Sequence, residues 1–314
     1  MSNVLPISGH AAAATQTSAA GSFLSLTRRA AARAGQWRLL LLWWLALSLP
    51  ALLVGLPLWR ALSAQLDRSL MGPRLAGGLD MVVFFEAIIG LGDQGFAAGT
   101  LGLAGLVLTL LLSPWLTGMA LTAARQSEPP TLGALLRGGL AEYGRLARML
   151  IWGLLPLGAA LGAGAGLMHW ADARGAKAVL EASAEQAGQL ALIASLVLYL
   201  LAQISVDAGR AQFVLQLRQR SAFKAWWRGL GALAPRAWRG VAAWLLVSLA
   251  GVVLVLLFSW LRLQWPGLIQ QAFNLPAFVT WLGALLSAQV VVLAFAWMRC
   301  ARLFALVEAG RNRG

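Results

Sequence analysis

The residues of this chain that could do chemistry are few and widely separated. Gly90-Leu91-Gly92-Asp93-Gln94-Gly95 carries the letters of a dinucleotide-binding loop. That loop works only between a β-strand and a helix, with an acid about 20 residues on to hold a ribose. Here it leads into a long apolar segment with no acid near position 115, so it reads as a flexible turn. His10 and His169 are the only histidines and Cys300 is the only cysteine. A zinc site needs three or four such ligands on one point; these three fall in a polar tail, at the end of one apolar block and at the opposite end of another. His169, beside Trp170, reads as an interface residue. No serine stands in a nucleophile-elbow context. The residues predict no catalytic group, no cofactor and no metal.

Other polar residues have positions worth naming. Asp80, Glu86 and Asp93 make the segment 60–93 acidic, and its apolar run from Met81 to Ile89 is too short to cross a bilayer. The segment is expected to be either re-entrant or an amphipathic helix on the outer membrane surface, with its acids on a solvated face, and it is the natural surface for a protein partner. Asp207 and Arg210 stand three apart, the spacing of a helical ion pair, and are expected to anchor the inner end of a helix. Gln203 and Gln289 either line a solute path or make one interhelical hydrogen bond each, the commoner use of such amides. Gly158, Gly162 and Gly166 form a row at four-residue spacing that lets helices approach closely. Packing inside the bundle is preferred for this row over homodimerisation.

The elements that must hold these residues follow from composition. Hydrophobic residues make up 60% of the chain and charged ones 11%, with a mean hydropathy of +0.73. Soluble domains carry about 25% charged residues, so lipid must be the solvent for much of this surface. Six charge-free blocks each hold the ~20 residues a membrane-crossing helix needs. The spans are expected at about 38–59, 96–122, 149–170, 189–206, 241–261 and 278–298. Residues 1–22, rich in Ala, Ser, Thr and Gly, read as a disordered tail, and 23–310 as a single six-span domain. None of the six cores carries an ionisable residue, which argues against ion-coupled transport.

The formal net charge of +14 does not point to nucleic acid, because the basic residues cluster beside the apolar blocks. Nineteen Lys and Arg collect on the side of both termini against six on the other. The positive-inside rule then puts both termini in the cytoplasm of a bacterial inner membrane. Trp37, Trp59, Trp152, Trp170, Trp265 and Trp297 fall near block ends, where amphipathic rings prefer to sit.

The cytoplasmic loops contain a repeat. Ala134, Arg137, Gly138, Arg145 and Arg148 recur 91 positions later as Ala225, Arg228, Gly229, Arg236 and Arg239. In each copy the arginines fall in one arc and the apolar residues on the opposite face. Amphipathic helices lying in the interface are therefore expected at 131–147 and 222–239, with Arg137, Arg145, Arg148, Arg228, Arg236 and Arg239 toward anionic headgroups. Pro235 is expected to shorten or kink the second. Phe23, Leu24 and Leu26, running into Arg28, Arg29 and Arg33, form a weaker third copy. Asp207-Ala208-Gly209-Arg210, just after a span and leading into an amphipathic basic helix, resembles a piece of the uncharacterised bacterial six-helix proteins related to the membrane domain of glycerophosphodiester phosphodiesterases. The likeness is architectural, spans roughly 25–310, and carries over no catalytic residue because no hydrolytic domain is present.

Together these features predict an all-α integral membrane protein of six transmembrane helices in three hairpins, with amphipathic interfacial cytoplasmic helices. The expected activity is non-enzymatic: a partner-binding or lipid-contacting membrane component. The alternative is a permease or channel for a small solute or lipid. Anionic headgroups and a membrane or periplasmic protein are the expected partners, without nucleic acid.

Overall fold

A computed structural model describes residues 23–66, 89–90, 98–177, 181–233, 238–273 and 277–311. Among them the chain is helical, with no strand. Helix α1 covers 23–34. It is followed by α2 (Trp37–Leu66), α3 (Ala98–Arg125), α4 (Leu132–Gly175), α5 (Glu181–Leu215), α6 (Ala222–Ala232), α7 (Trp238–Phe273) and α8 (Ala277–Arg311). Six of these, all but α1 and α6, are long and apolar enough to cross a membrane. The chain is a multi-pass membrane protein. Pro50, Pro57, Pro114 and Pro156 lie inside the spanning helices, where helices in lipid tolerate them because neighbours re-satisfy the freed carbonyls.

The spans pack as three hairpins, α2 with α3, α4 with α5 and α7 with α8. Helix α8 joins the hairpins by also touching α2, α3 and α5. Its second half is buried through Ala296, Cys300, Ala301, Phe304 and Val307. The main core gathers Leu26 and Ala30 of α1, Leu39 and Trp43 of α2, Met119 and Leu121 of α3, Val206 and Phe213 of α5, and Trp244 of α7. All lie toward the end of the bundle where the basic residues collect, the basic end. At the far end, among the described residues, α4 and α5 bury Ala171, Ala187 and Ala191 against each other, and Leu52, Leu56, Leu103, Leu161, Leu192 and Leu256 are exposed.

Several boundaries differ from those expected. Helix α4 runs unbroken for 44 residues, about 66 Å at ~1.5 Å per residue. The expected interfacial helix at 131–147 is thus the basic-end extension of the third span, not a separate element. Thr131 caps it by accepting from Ala134 N–H, and no proline follows until Pro156, so Arg148 interrupts an apolar window without interrupting a helix. The second copy is a separate helix of 11 residues, α6, capped by Ser221 and ended at Leu233. It stops short of the expected limit at 239, and Arg239 belongs to α7; Pro235 and Arg236 lie outside the described residues.

The two caps are 90 positions apart. Leu135 and Ala225, both 0% exposed, and the buried glycines Gly139 and Gly229 keep that same spacing. The 91-residue spacing that matches the arginines therefore does not align the packed faces. At both crossings the backbones touch. A Cβ on Gly118 of α3 would lie 2.8 Å from the Gly139 carbonyl oxygen, and one on Gly229 would lie 2.6 Å from the Gly209 nitrogen. Only hydrogen fits there.

The glycine row of α4 does not pack inside the chain: Gly158, Gly162 and Gly166 are exposed with open space where a Cβ would stand. The close approach of α4 to α5 uses Gly164 instead, against Ser195. Asp80, Glu86 and Asp93, with most of 60–93, lie outside the described residues.

Candidate functional site: a buried basic pocket

The arginines of the basic end divide by what they meet. A helix leaves its last carbonyls without partners, and cations satisfy them well. Arg33 of α1 donates to the carbonyls of Ala124 (3.2 Å) and Gln126 (2.6 Å) and pairs with Glu308 at 2.5 Å. Arg311 reaches the same Ala124 carbonyl at 2.8 Å. These two close the C-terminus of α3. The C-terminus of α5 is closed from the other side. Arg125 donates to the Phe213 carbonyl at 2.8 Å, and Arg145 to that of Leu217 at 2.8 Å. Glu142, 7% exposed, holds both arginines, accepting from Arg125 at 2.7 Å and from Arg145 Nε at 2.7 Å. Arg145 was expected at lipid headgroups; it faces protein because its carboxylate partner and the α5 carbonyls lie on the same side of α4. Arg137, Arg148, Arg228 and Arg239 are exposed, although Arg228 also donates to the side-chain oxygens of Gln216 and Gln219.

A third group turns inward. Arg210 of α5 and Arg299 and Arg302 of α8 line a cavity of about 20 Å³ with Trp43 of α2, Thr117 of α3, and Gln203 and Asp207 of α5. The three hairpins meet here. Asp207 and Arg210 do not end a helix, since α5 continues to Leu215. Asp207 Oδ1 accepts from Arg210 at 2.9 Å and Oδ2 from the Trp244 indole N–H at 3.1 Å. Trp244 is 0% exposed, and its ring carries the Arg302 guanidinium at 4.9 Å from the centroid. Arg302 also donates through Nε to Ser248 Oγ at 2.7 Å. Asp207, Trp244 and Arg302 thus lock α5, α7 and α8 together.

Three groups on the same wall have no hydrogen-bond partner among the described residues. Arg299 stacks over Phe295 at 5.6 Å and makes no hydrogen bond among the described residues. Gln203 is 7% exposed, and its amide has no hydrogen-bond partner among the described residues. The buried Trp43 indole N–H is likewise unpaired. One carboxylate faces three guanidiniums. Chemically the pocket is a surplus of donors and positive charge, suited to holding an acceptor-only, negative group.

Of the residues singled out from sequence, the structure brings Gln203, Asp207 and Arg210 into this pocket. Gln289 lies apart and accepts from the Trp44 indole N–H of α2 at 2.6 Å. His169 and Cys300 are also separate, one exposed and one buried. Sequence reasoning missed Arg299, Arg302 and Trp43. The two arginines fall among the nineteen cations on the side of both termini. The signal that would have found them is the apolar run Leu303-Phe304-Ala305-Leu306-Val307 just beyond, which shows that the packed helix continues past both. Comparison with protein-family models, with curated proteins and with solved structures finds no match for this chain.

Proposed function

We propose that the protein is a non-enzymatic, lipid-contacting component of a bacterial inner membrane, with both termini cytoplasmic. The observation that carries this reading is the exposed surface of the basic end. Arg137, Arg148, Lys224, Arg228 and Arg239 are exposed beside Phe223, Trp227 and Trp238. Rings at the level of cations are how membrane proteins hold the headgroup layer, and each cation near an anionic leaflet gains about 1 kcal/mol. The likeness to the six-helix bacterial proteins named above fits the same reading. The acidic segment around Asp80, Glu86 and Asp93 is kept as the surface for a membrane or periplasmic protein partner.

The test is lipid selectivity. In nanodiscs of mixed phosphatidylglycerol and phosphatidylcholine, spin-labelled phosphatidylglycerol should quench tryptophan fluorescence more than the labelled zwitterionic lipid. The difference should shrink with salt and in the combined Arg137→Gln, Arg148→Gln, Arg228→Gln variant. Equal quenching by both lipids in the unsubstituted protein would reject lipid contact through this surface.

The alternative, a permease or channel, has one observation in its favour. Asp207, Arg299 and Arg302 stand inside the bundle where three hairpins meet, although the charge-free blocks of the sequence stop at Asp207 and Arg299. Solute flux into liposomes that vanishes in Asp207→Asn would promote it.

A further inference from the structure

We propose that the pocket between α2, α3, α5 and α8 is a phosphate site, taking the terminal oxygens of a phosphomonoester. Charge argues first. Asp207 offsets Arg210, and Arg302 is spread over Trp244 and Ser248. Arg299 lies over the face of Phe295 and makes no hydrogen bond among the described residues. Taking an ion out of water costs several kcal/mol unless an opposite charge compensates it, and the excess here is two positive charges. A phosphomonoester brings about −1.5 to −2 at neutral pH, which closes that balance; a singly charged phosphodiester does not.

The donors argue next. Guanidiniums match phosphate oxygens in pairs. The wall includes Gln203, whose amide has no hydrogen-bond partner among the described residues, and Trp43, whose buried indole N–H is unpaired. These are donors waiting for an acceptor, and among phosphate, carboxylate and halide only phosphate offers three charged oxygens to several donors at once. Size agrees. A cavity of about 20 Å³ admits one or two oxygen-sized atoms, since ~10–15 Å³ holds one water. It accepts phosphate oxygens at its mouth and refuses a headgroup whose phosphate is capped by glycerol or choline. Asp207 lies eight residues inside the α5 terminus at Leu215, about 12 Å of helix. On the topology proposed above, and only for the lipid source, that depth is reached by the phosphate of an inner-leaflet phosphatidate. Free inorganic phosphate has the same chemistry.

The test uses the full-length protein, purified in neutral detergent without phosphate and also in nanodiscs. Inorganic phosphate is titrated calorimetrically in detergent. Phosphatidate, phosphatidylglycerol and phosphatidylcholine are compared by native mass spectrometry from nanodiscs. The expected result is binding of inorganic phosphate, retention of phosphatidate over phosphatidylglycerol, or both. Arg299→Met should weaken the ligand that binds by about tenfold, the value of one charge-assisted hydrogen bond. Gln203→Leu should weaken it less, and Arg60→Met, exposed at the far end of α2, not at all. A second readout separates a vacated site from a damaged fold. Without anion, Arg299→Met should melt at a higher temperature than the unsubstituted protein, because an uncompensated charge is gone. Phosphate binding in detergent assigns a free anion; retention of phosphatidate alone assigns a headgroup. No response to either ligand, or equal affinity in Arg299→Met, overturns the proposal. Neither result touches the surface selectivity above, which rests on Arg137, Arg148 and Arg228.

Discussion

At the basic end, α1, α2, α3, α5, α7 and α8 bury Ala30, Trp43, Leu121, Phe213, Trp244 and Phe304 in one continuous core. At the far end of the same helices Leu56, Leu103, Leu192 and Leu256 face outward, and among the described residues α4 and α5 bury the small cluster Ala171, Ala187 and Ala191 against each other. The spans are apolar at both ends, so hydrophobicity does not explain the difference. Lipid tails are as apolar as leucine, and helices in a bilayer associate through close backbone approach and polar links. Among the described residues most of those devices stand at one end: the Gly118–Gly139 and Gly209–Gly229 crossings, the Glu142 and Glu308 ion pairs, and the Asp207–Trp244–Arg302 lock; toward the far end Gly105 meets Val54 and Gly164 meets Ser195. Among the described residues the bundle is tied chiefly at its basic end.

The contrast can be broken most severely at Glu142. Its carboxylate holds Arg125 and Arg145, and removing it leaves two partly buried guanidiniums without their counter-ion. Glu142→Ala should cost about 3 kcal/mol, read as the unfolding midpoint in a dodecyl sulfate titration. A loss under 1 kcal/mol would mean that the carbonyls of α5 suffice.

Paired glycine substitutions sharpen the comparison. Gly118→Ala forces a methyl against the Gly139 backbone and should cost about 2 kcal/mol, as overpacking does. Gly162→Ala, in open space, should be neutral or slightly stabilising, since alanine favours a helix by about 1 kcal/mol over glycine. If equal losses appeared in thermal melts, the far-end row would be packed against another copy of the chain.

The smallest effect is expected at the single amide link nearer the membrane middle. Trp44→Phe removes the bond to Gln289 and should cost about 0.6 kcal/mol, the average for such links. A cost near that of Glu142→Ala would spread the ties evenly along the bundle and remove the contrast.

How much of this was legible in the sequence depended on whether a residue's neighbours or its composition decided its role. The helical hairpins follow from charge-free blocks, because backbone in lipid has few alternatives. The Asp207–Arg210 pair follows from spacing alone. The inward turn of Arg299 and Arg302 does not, because lipid-facing and protein-facing sides of α8 are equally apolar and periodicity cannot tell them apart. The same ambiguity put the row of Gly158, Gly162 and Gly166 inside the bundle on paper and outside it in the structure. Arg148 was read as a helix boundary because a charge ends an apolar window, yet α4 passes through it. Matching letters rather than buried faces placed the two capped helices one residue out of register.

The claim that the bundle is tied chiefly at its basic end is tested most directly by spin-label distances along a single helix pair. Helices α2 and α7 belong to different hairpins and offer exposed sites at both ends: Trp37 and Arg239 at the basic end, Arg60 and Arg262 at the far end. With Cys300 replaced by alanine, nitroxide labels at each pair in nanodiscs give two distance distributions by double electron–electron resonance. The account predicts a narrow distribution for Trp37 and Arg239 and a clearly broader one for Arg60 and Arg262. Two distributions of equal width, or a narrower one at the far end, would contradict it.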